Sequence, residues 1–387
     1  MTNAPDHAPR RHVTVGPTSP ATGRDHDEES PMRAVRMTQW QGEPVLTEVP
    51  EPDPGPGEVV IAVGGAGACH SDLHLLHEFE AGALPWNPPF TLGHENAGWV
   101  HRLGPGVEGL EPGDPVAVVG AWGCGRCGRC LAGLETYCER PDLAPVPGGG
   151  GGLGLDGGMA DYLLVPGARH LVPLPEGLTP AEAAPLTDAG LTPYHAVRRS
   201  LAKLTPESTA VAVGVGGLGH LAVQILKAVC PARVIAVDPR EDARSLALAE
   251  GADLALQPGE GLVEQVRDAT HGHGADVVLD FVGSDDSLAA AAAYARPLGD
   301  LTIVGIAGGS LPVSFFGVPY ELSVQTTYWG NRSELAEVLE LAARGLVRAR
   351  TTTFDLDDAV DVYARLAAGE ITGRAVVVPA REPVRTA

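Results

Sequence analysis

Four of the chain's six cysteines, Cys124, Cys127, Cys130 and Cys138, fall in the stretch WGCGRCGRCLAGLETYC. Clustered thiols can close disulfides, hold an iron–sulfur cluster or bind a structural metal. Their gaps are two, two and seven residues, and Glu139 follows the last. An iron–sulfur run closes on a gap of three and a proline, so that reading fits poorly. Four thiolates suit a closed tetrahedral zinc. A second set is scattered. GACHSDLHLLH holds Cys69, His70, Ser71, Asp72 and His74; TLGHENAGWV holds His94 and Glu95; APLTDAGLTPYHAV holds Asp188. A thiolate, an imidazole and a carboxylate can grip zinc at three corners and leave the fourth open, as catalysis at the metal requires. Taken singly, Cys69 reads as a small buried apolar group, His94 as a core histidine and Asp188 as a helix cap.

GVGGLG, Gly214 to Gly219, is a third feature. It follows an apolar run and opens a helical pattern, the context of a dinucleotide loop. Gly214 permits the tight turn, Gly216 lets a pyrophosphate approach the backbone, and Gly219 lets helix and strand pack closely. Gly217 and Leu218 complete the loop, whose free N–H groups face the phosphates. Asp238 ends the next strand. Its carboxylate would accept from the ribose hydroxyls and repel a 2′-phosphate, which favours NAD over NADP. Arg240 stands close enough to soften that preference.

These groups need a scaffold, and two kinds of sequence supply it. From Met32 to about Pro185 the text reads as β, with short apolar runs between Gly/Pro clusters. PGGGGGLGLDGG reads there as a surface loop. From about Leu186 strands and helices alternate, which implies a doubly wound parallel sheet. Leu218, Leu221, Ala222, Ile225, Leu226 and Val229 mark one helical face. The last strand, GRAVVVP, resembles the first half and suggests that the chain returns there. Residues 1–31 are Pro-, His- and charge-rich and read as a disordered tail, with Met32 a candidate start. A length of 387 residues suggests two domains, and the net charge of −22 argues against nucleic acid or an anionic membrane. No apolar run approaches a membrane span or a secretory signal. Six cysteines in so long a chain point to a reducing, cytoplasmic setting, which disfavours disulfides.

CHSDLH, GHE, the four-cysteine stretch and GVGGLG occur in the order found in zinc-dependent alcohol dehydrogenases of the medium-chain dehydrogenase/reductase superfamily. From Met32 to Pro379 the chain resembles them. It is most similar to bacterial NAD-dependent secondary-alcohol dehydrogenases, through PLTDAGLTPYHA, GVGGLGH, ARVIAVD and YWGNRSEL. The resemblance implies a mostly β GroES-like catalytic domain over 32–186 and 331–387, with a structural zinc lobe at about 120–140. A Rossmann NAD-binding domain would cover 187–330. It also implies a catalytic zinc on Cys69, His94 and Asp188, where many relatives carry cysteine in place of Asp188. Glu95 would stand behind that metal as an occasional ligand. Ser71 would accept the alcohol's proton, which passes by way of the cofactor ribose to His74. His70, Thr192 and Arg374 would touch the cofactor, and Trp122, Tyr328 and Trp329 would line a cleft for a hydrophobic alcohol or ketone. A homo-oligomer, dimer or tetramer, is implied as well. The alternatives are a polyol, aldehyde or amino-alcohol dehydrogenase on this scaffold, or a non-catalytic nucleotide-binding relative. A zinc-free quinone reductase-like enzyme is disfavoured by Cys69, His94 and Asp188.

Overall fold

The strand Val59–Ala68, VVIAVGGAGA, is buried almost throughout, as small and β-branched residues in the middle of a sheet should be. In the computed structural model, which describes residues 31–379, it pairs antiparallel with Glu95–Leu103 and with Arg374–Val377. The register sets Gly67 opposite Glu95 and Ala68 opposite Ala375. Cys69, Glu95 and Arg374 therefore arrive at one end of one sheet. That sheet has seven strands, and its far edge is Thr351–Phe354, paired parallel to Arg374–Val377. The sequence suggests only a turn near residue 351. TTTF is a short, mostly exposed edge strand, too brief to show a pattern. Pro31 opens the strand Pro31–Met37, while residues 1–30 of the expected tail lie outside the described residues.

The expected surface loop PGGGGGLGLDGG is instead largely buried, with short pairings of Gly150–Gly151 and Gly154–Leu155. A Cβ on Gly150 would lie 2.0 Å from the Gly120 carbonyl. The missing side chains let two backbones touch, so a run that reads as loop packs inside.

The second half is a six-stranded sheet in the order Leu254–Leu256, Arg233–Val237, Thr209–Val213, Ala275–Asp280, Ala295–Ile303, Ser323–Thr326. All five pairings are parallel. This is the Rossmann arrangement, in which ligands bind beyond the strand C-termini where the order reverses. The helix Gly219–Val229 buries Leu221, Ala222, Ile225 and Leu226, the expected face. No helix among the described residues is long and apolar enough to cross a membrane.

Candidate metal and dinucleotide site

Three distant stretches converge at the end of the first sheet. Cys69 leaves Val59–Ala68 and caps the helix His70–His77. His94 precedes Glu95–Leu103, and Asp188 ends the helical turn Ala184–Thr187. One donor atom from each of Cys69, His94, Glu95 and Asp188 lies within 4.8 Å of the others. His94 Nε2 stands 3.6 Å from Asp188 Oδ2. On the ring's other side Asp72 Oδ1 lies 3.0 Å from Nδ1. Asp72 is fully buried, and its Oδ2 accepts from the Cys69 N–H and the Tyr363 hydroxyl, each at 3.1 Å. With Nδ1–H donating to Asp72, the Nε2 lone pair is free to face a metal. The Thr192 hydroxyl donates to Asp188 Oδ1 at 2.7 Å and leaves Oδ2 for the cluster.

The cluster is short of positive charge. Burial alone would push the His94 imidazole down, yet the Asp72 and Asp188 carboxylates raise it well above its ordinary value. Burial raises Glu95, against the pull of Arg374. Arg374 forms a buried ion pair with Glu95 Oε1, while Glu95 Oε2 is buried with no hydrogen-bond partner. A thiolate, an imidazole and a carboxylate around one point, with electrostatic demand for a cation, fit a divalent zinc.

The four cysteines also meet. Cys127 Sγ lies 3.4 Å from Cys130 Sγ, and Cys124 Sγ lies 3.9 Å from Cys130 Sγ. Backbone N–H groups of Cys124 and Arg140 point at Cys138 Sγ, at 3.3 and 3.4 Å. Those of Cys130 and Glu139 point at Cys127 Sγ and draw its thiol down to about 6. Such donors stabilise thiolates, the form that binds metal. Burial pushes Cys130 up to about 12, a burden that a bound cation would remove.

A cleft of about 900 Å³ runs from the first cluster to the glycine loop. Gly214 stands at φ 85, and a Cβ on Gly219 would lie 1.8 Å from the Gly214 carbonyl. A Cβ on Gly216 would meet nothing within 4 Å, so the loop is open where a phosphate would sit. Asp238 Oδ2 accepts from the Val215 N–H at 2.7 Å and Oδ1 from the Arg240 N–H at 2.9 Å. This buried carboxylate ties the strand end to the loop. These features fit the adenosine and pyrophosphate of a dinucleotide.

Two family models match the chain: the alcohol dehydrogenase GroES-like domain over residues 55–176 and the zinc-binding dehydrogenase domain over 217–344. An NAD-dependent alcohol dehydrogenase of Sulfurisphaera tokodaii is 36% identical over 90% of this chain and 100% of its own. This chain belongs to the alcohol dehydrogenases of the medium-chain dehydrogenase/reductase superfamily. An alcohol dehydrogenase of Geobacillus stearothermophilus is 33% identical over 89% of this chain and 98% of its own. The crystal structure of the Aeropyrum pernix alcohol dehydrogenase superposes with a TM-score of 0.81, at 38% identity, covering 90% of this chain and 100% of that one.

Within this dehydrogenase the cleft gathers most of the residues singled out in the sequence. Cys69, His70, Ser71, His74, His94, Asp188, Thr192, Asp238, Arg240, Tyr328, Trp329, Arg374 and the loop glycines line it. Trp122 does not: it is 3% exposed, its indole N–H donates to the Val119 carbonyl, and its ring packs towards His170. Trp86, unremarked in the sequence, stands in the cleft wall, its indole N–H donating to the Pro147 carbonyl at 2.9 Å. His220 was also missed, although it directly follows the glycine loop. Burial holds its imidazole down to about 4, so a neutral Nδ1–H donates to the Gly216 carbonyl at 2.9 Å. Its Nε2 accepts from the Arg350 N–H at 3.3 Å. Asp72 gave one signal, its spacing three residues after Cys69, where a carboxylate can cap the helix.

Proposed function

We propose that this dehydrogenase oxidises a hydrophobic secondary alcohol to its ketone, reversibly and with NAD.

 Cys69, His94 and Asp188 would hold a catalytic zinc, and Cys124, Cys127, Cys130 and Cys138 a structural one. The observation that carries the reading is the donor cluster set in the same cleft as the open glycine loop. Zinc when bound lowers the pKa of an alcohol hydroxyl, and NAD when bound takes up hydride. The chain's own residues do the rest. Ser71 Oγ lies 3.7 Å from the Cys69 thiol and takes the alcohol's proton. His74, one turn further along the same helix, passes it towards solvent, its Nδ1 2.7 Å from Glu78 Oε2. Phe79, Leu84, Trp86, Tyr328 and Trp329 give the alcohol an apolar wall. Asp238 selects the unphosphorylated ribose, and Arg374 pairs with Glu95 beside the donor cluster.

The test is a panel of primary and secondary alcohols assayed with NAD and with NADP. Secondary alcohols with NAD should give the highest kcat/KM. Equal or better rates with NADP would overturn the role given to Asp238.

We take residues 32–186 with 331–387 as the catalytic domain and 187–330 as the NAD domain. The pairing of Arg374–Val377 with Val59–Ala68 supports that return. Six unbridged cysteines suit a cytoplasmic setting. We also place the chain in a homo-oligomer, through a patch beside the edge strand Ser323–Thr326. There Phe315, Phe316 and Tyr320 are 73%, 86% and 57% exposed, and the Phe315 ring packs edge-on to Phe316 and tilted against Tyr320. So large an apolar group in water marks an interface. Sedimentation should show a dimer or tetramer for the natural chain and a smaller species for a Phe315→Ser, Phe316→Ser variant. A monomeric natural chain would refute the assembly.

A further inference from the structure

The four-cysteine lobe touches the wall of the alcohol cleft. Between Cys130 and Cys138 the chain makes the helical turn Glu135–Tyr137. The Thr136 hydroxyl donates to the Gly330 carbonyl at 3.1 Å. The Tyr137 hydroxyl reaches the Tyr328 carbonyl at 3.5 Å, a long and weaker contact. The two carbonyls stand on either side of Trp329, whose backbone is left-handed at φ 53. A bulky residue holds that conformation only where its surroundings over-determine it.

Trp329 is placed where its position matters. Its indole is 3% exposed and lies edge-on to His94, with ring centroids 6.0 Å apart. The indole N–H donates to the Thr187 carbonyl at 3.2 Å, one residue before Asp188. Gly120 leaves room for the ring: a Cβ there would lie 1.8 Å from it. One side chain thus walls the cleft and contacts both His94 and the peptide leading into Asp188.

We propose that Thr136 is a positioning residue for the alcohol pocket. It ties the segment carrying Trp329 to the four-cysteine lobe, so the lobe sets substrate selectivity as well as local stability. This inference rests on reading the cleft as the alcohol site.

The test compares Thr136→Val, which keeps the shape and loses the donor, with Thr136→Ser, which keeps the donor. Hydrogen exchange at the Trp329 indole N–H is read by nuclear magnetic resonance on the full chain labelled at tryptophan nitrogen, with Trp329→Phe assigning the signal. In Thr136→Val the exchange should quicken roughly fivefold, the worth of one lost hydrogen bond. The ratio of kcat/KM between a bulky and a small secondary alcohol should shift by a similar factor. The NADH dissociation constant and the zinc content should hold, and Thr136→Ser should match the natural chain. Unchanged indole exchange in Thr136→Val would overturn the proposal, as would a loss equal across all alcohols or a Thr136→Ser variant equally impaired. If the natural chain oxidises no alcohol, the reading of the cleft fails, and the exchange measurement alone decides the role of Thr136.

Discussion

Asp188→Ala should abolish alcohol oxidation, with a loss on the order of 10³-fold or more, the scale of removing a preorganised electrostatic stabiliser. Zinc content should fall from two ions per chain to one. Asp188 Oδ1 is fixed by the Thr192 hydroxyl, so Oδ2 alone faces His94 and the cluster. Glu95, the other carboxylate within reach, is paired through Oε1 with the buried Arg374, which offsets its charge. Cys69 and His94 alone form two corners of a site that needs three protein donors. The four-cysteine cluster lies elsewhere in the fold and should keep its ion. Asp188→Cys, which keeps an anionic donor, should recover part of the activity. Full turnover in Asp188→Ala would take Asp188 out of the ligand set.

Cys127→Ser should have the largest effect on stability. The lobe around residues 120–140 has little core of its own: Leu131 is 76% exposed, Tyr137 42% and, just beyond, Leu143 43%. Cys127 is the thiol that the Cys130 and Glu139 N–H groups favour most as thiolate. Structural zinc supplies of order 10 kcal/mol in small domains that depend on it. If about 4 kcal/mol of that reaches the whole fold, Tm drops by about 5 °C. A protease should then cut within the lobe, and one zinc per chain should persist on Cys69, His94 and Asp188. Unchanged Tm with two zinc ions would refute a structural role.

What the sequence shows well is contiguous. The glycine loop, Asp238 and the four cysteines each lie within a short stretch whose spacing carries its own meaning. The tertiary parts are less legible. Asp72 sits in plain view beside Cys69, but its work on His94 depends on a side chain twenty-two residues away. Arg374 meets Glu95 only because two strand registers bring Ala375 and Glu95 to the same end of Val59–Ala68. Trp86 lines the cleft and Trp122 does not, because backbone direction decides which face an indole takes. The buried glycine run shows the same limit. Glycine spacing is identical for a solvent loop and for two backbones in contact, and only the partner at Gly120 distinguishes them.

Anomalous diffraction from crystals of the zinc-loaded chain, recorded at the zinc absorption edge, tests most directly whether Cys69, His94 and Asp188 hold a zinc ion inside the dinucleotide cleft. Two peaks per chain are expected, one among the four cysteines and one within bonding distance of Cys69 Sγ, His94 Nε2 and Asp188 Oδ2. A single peak at the four cysteines, with those three side chains turned apart, would contradict it.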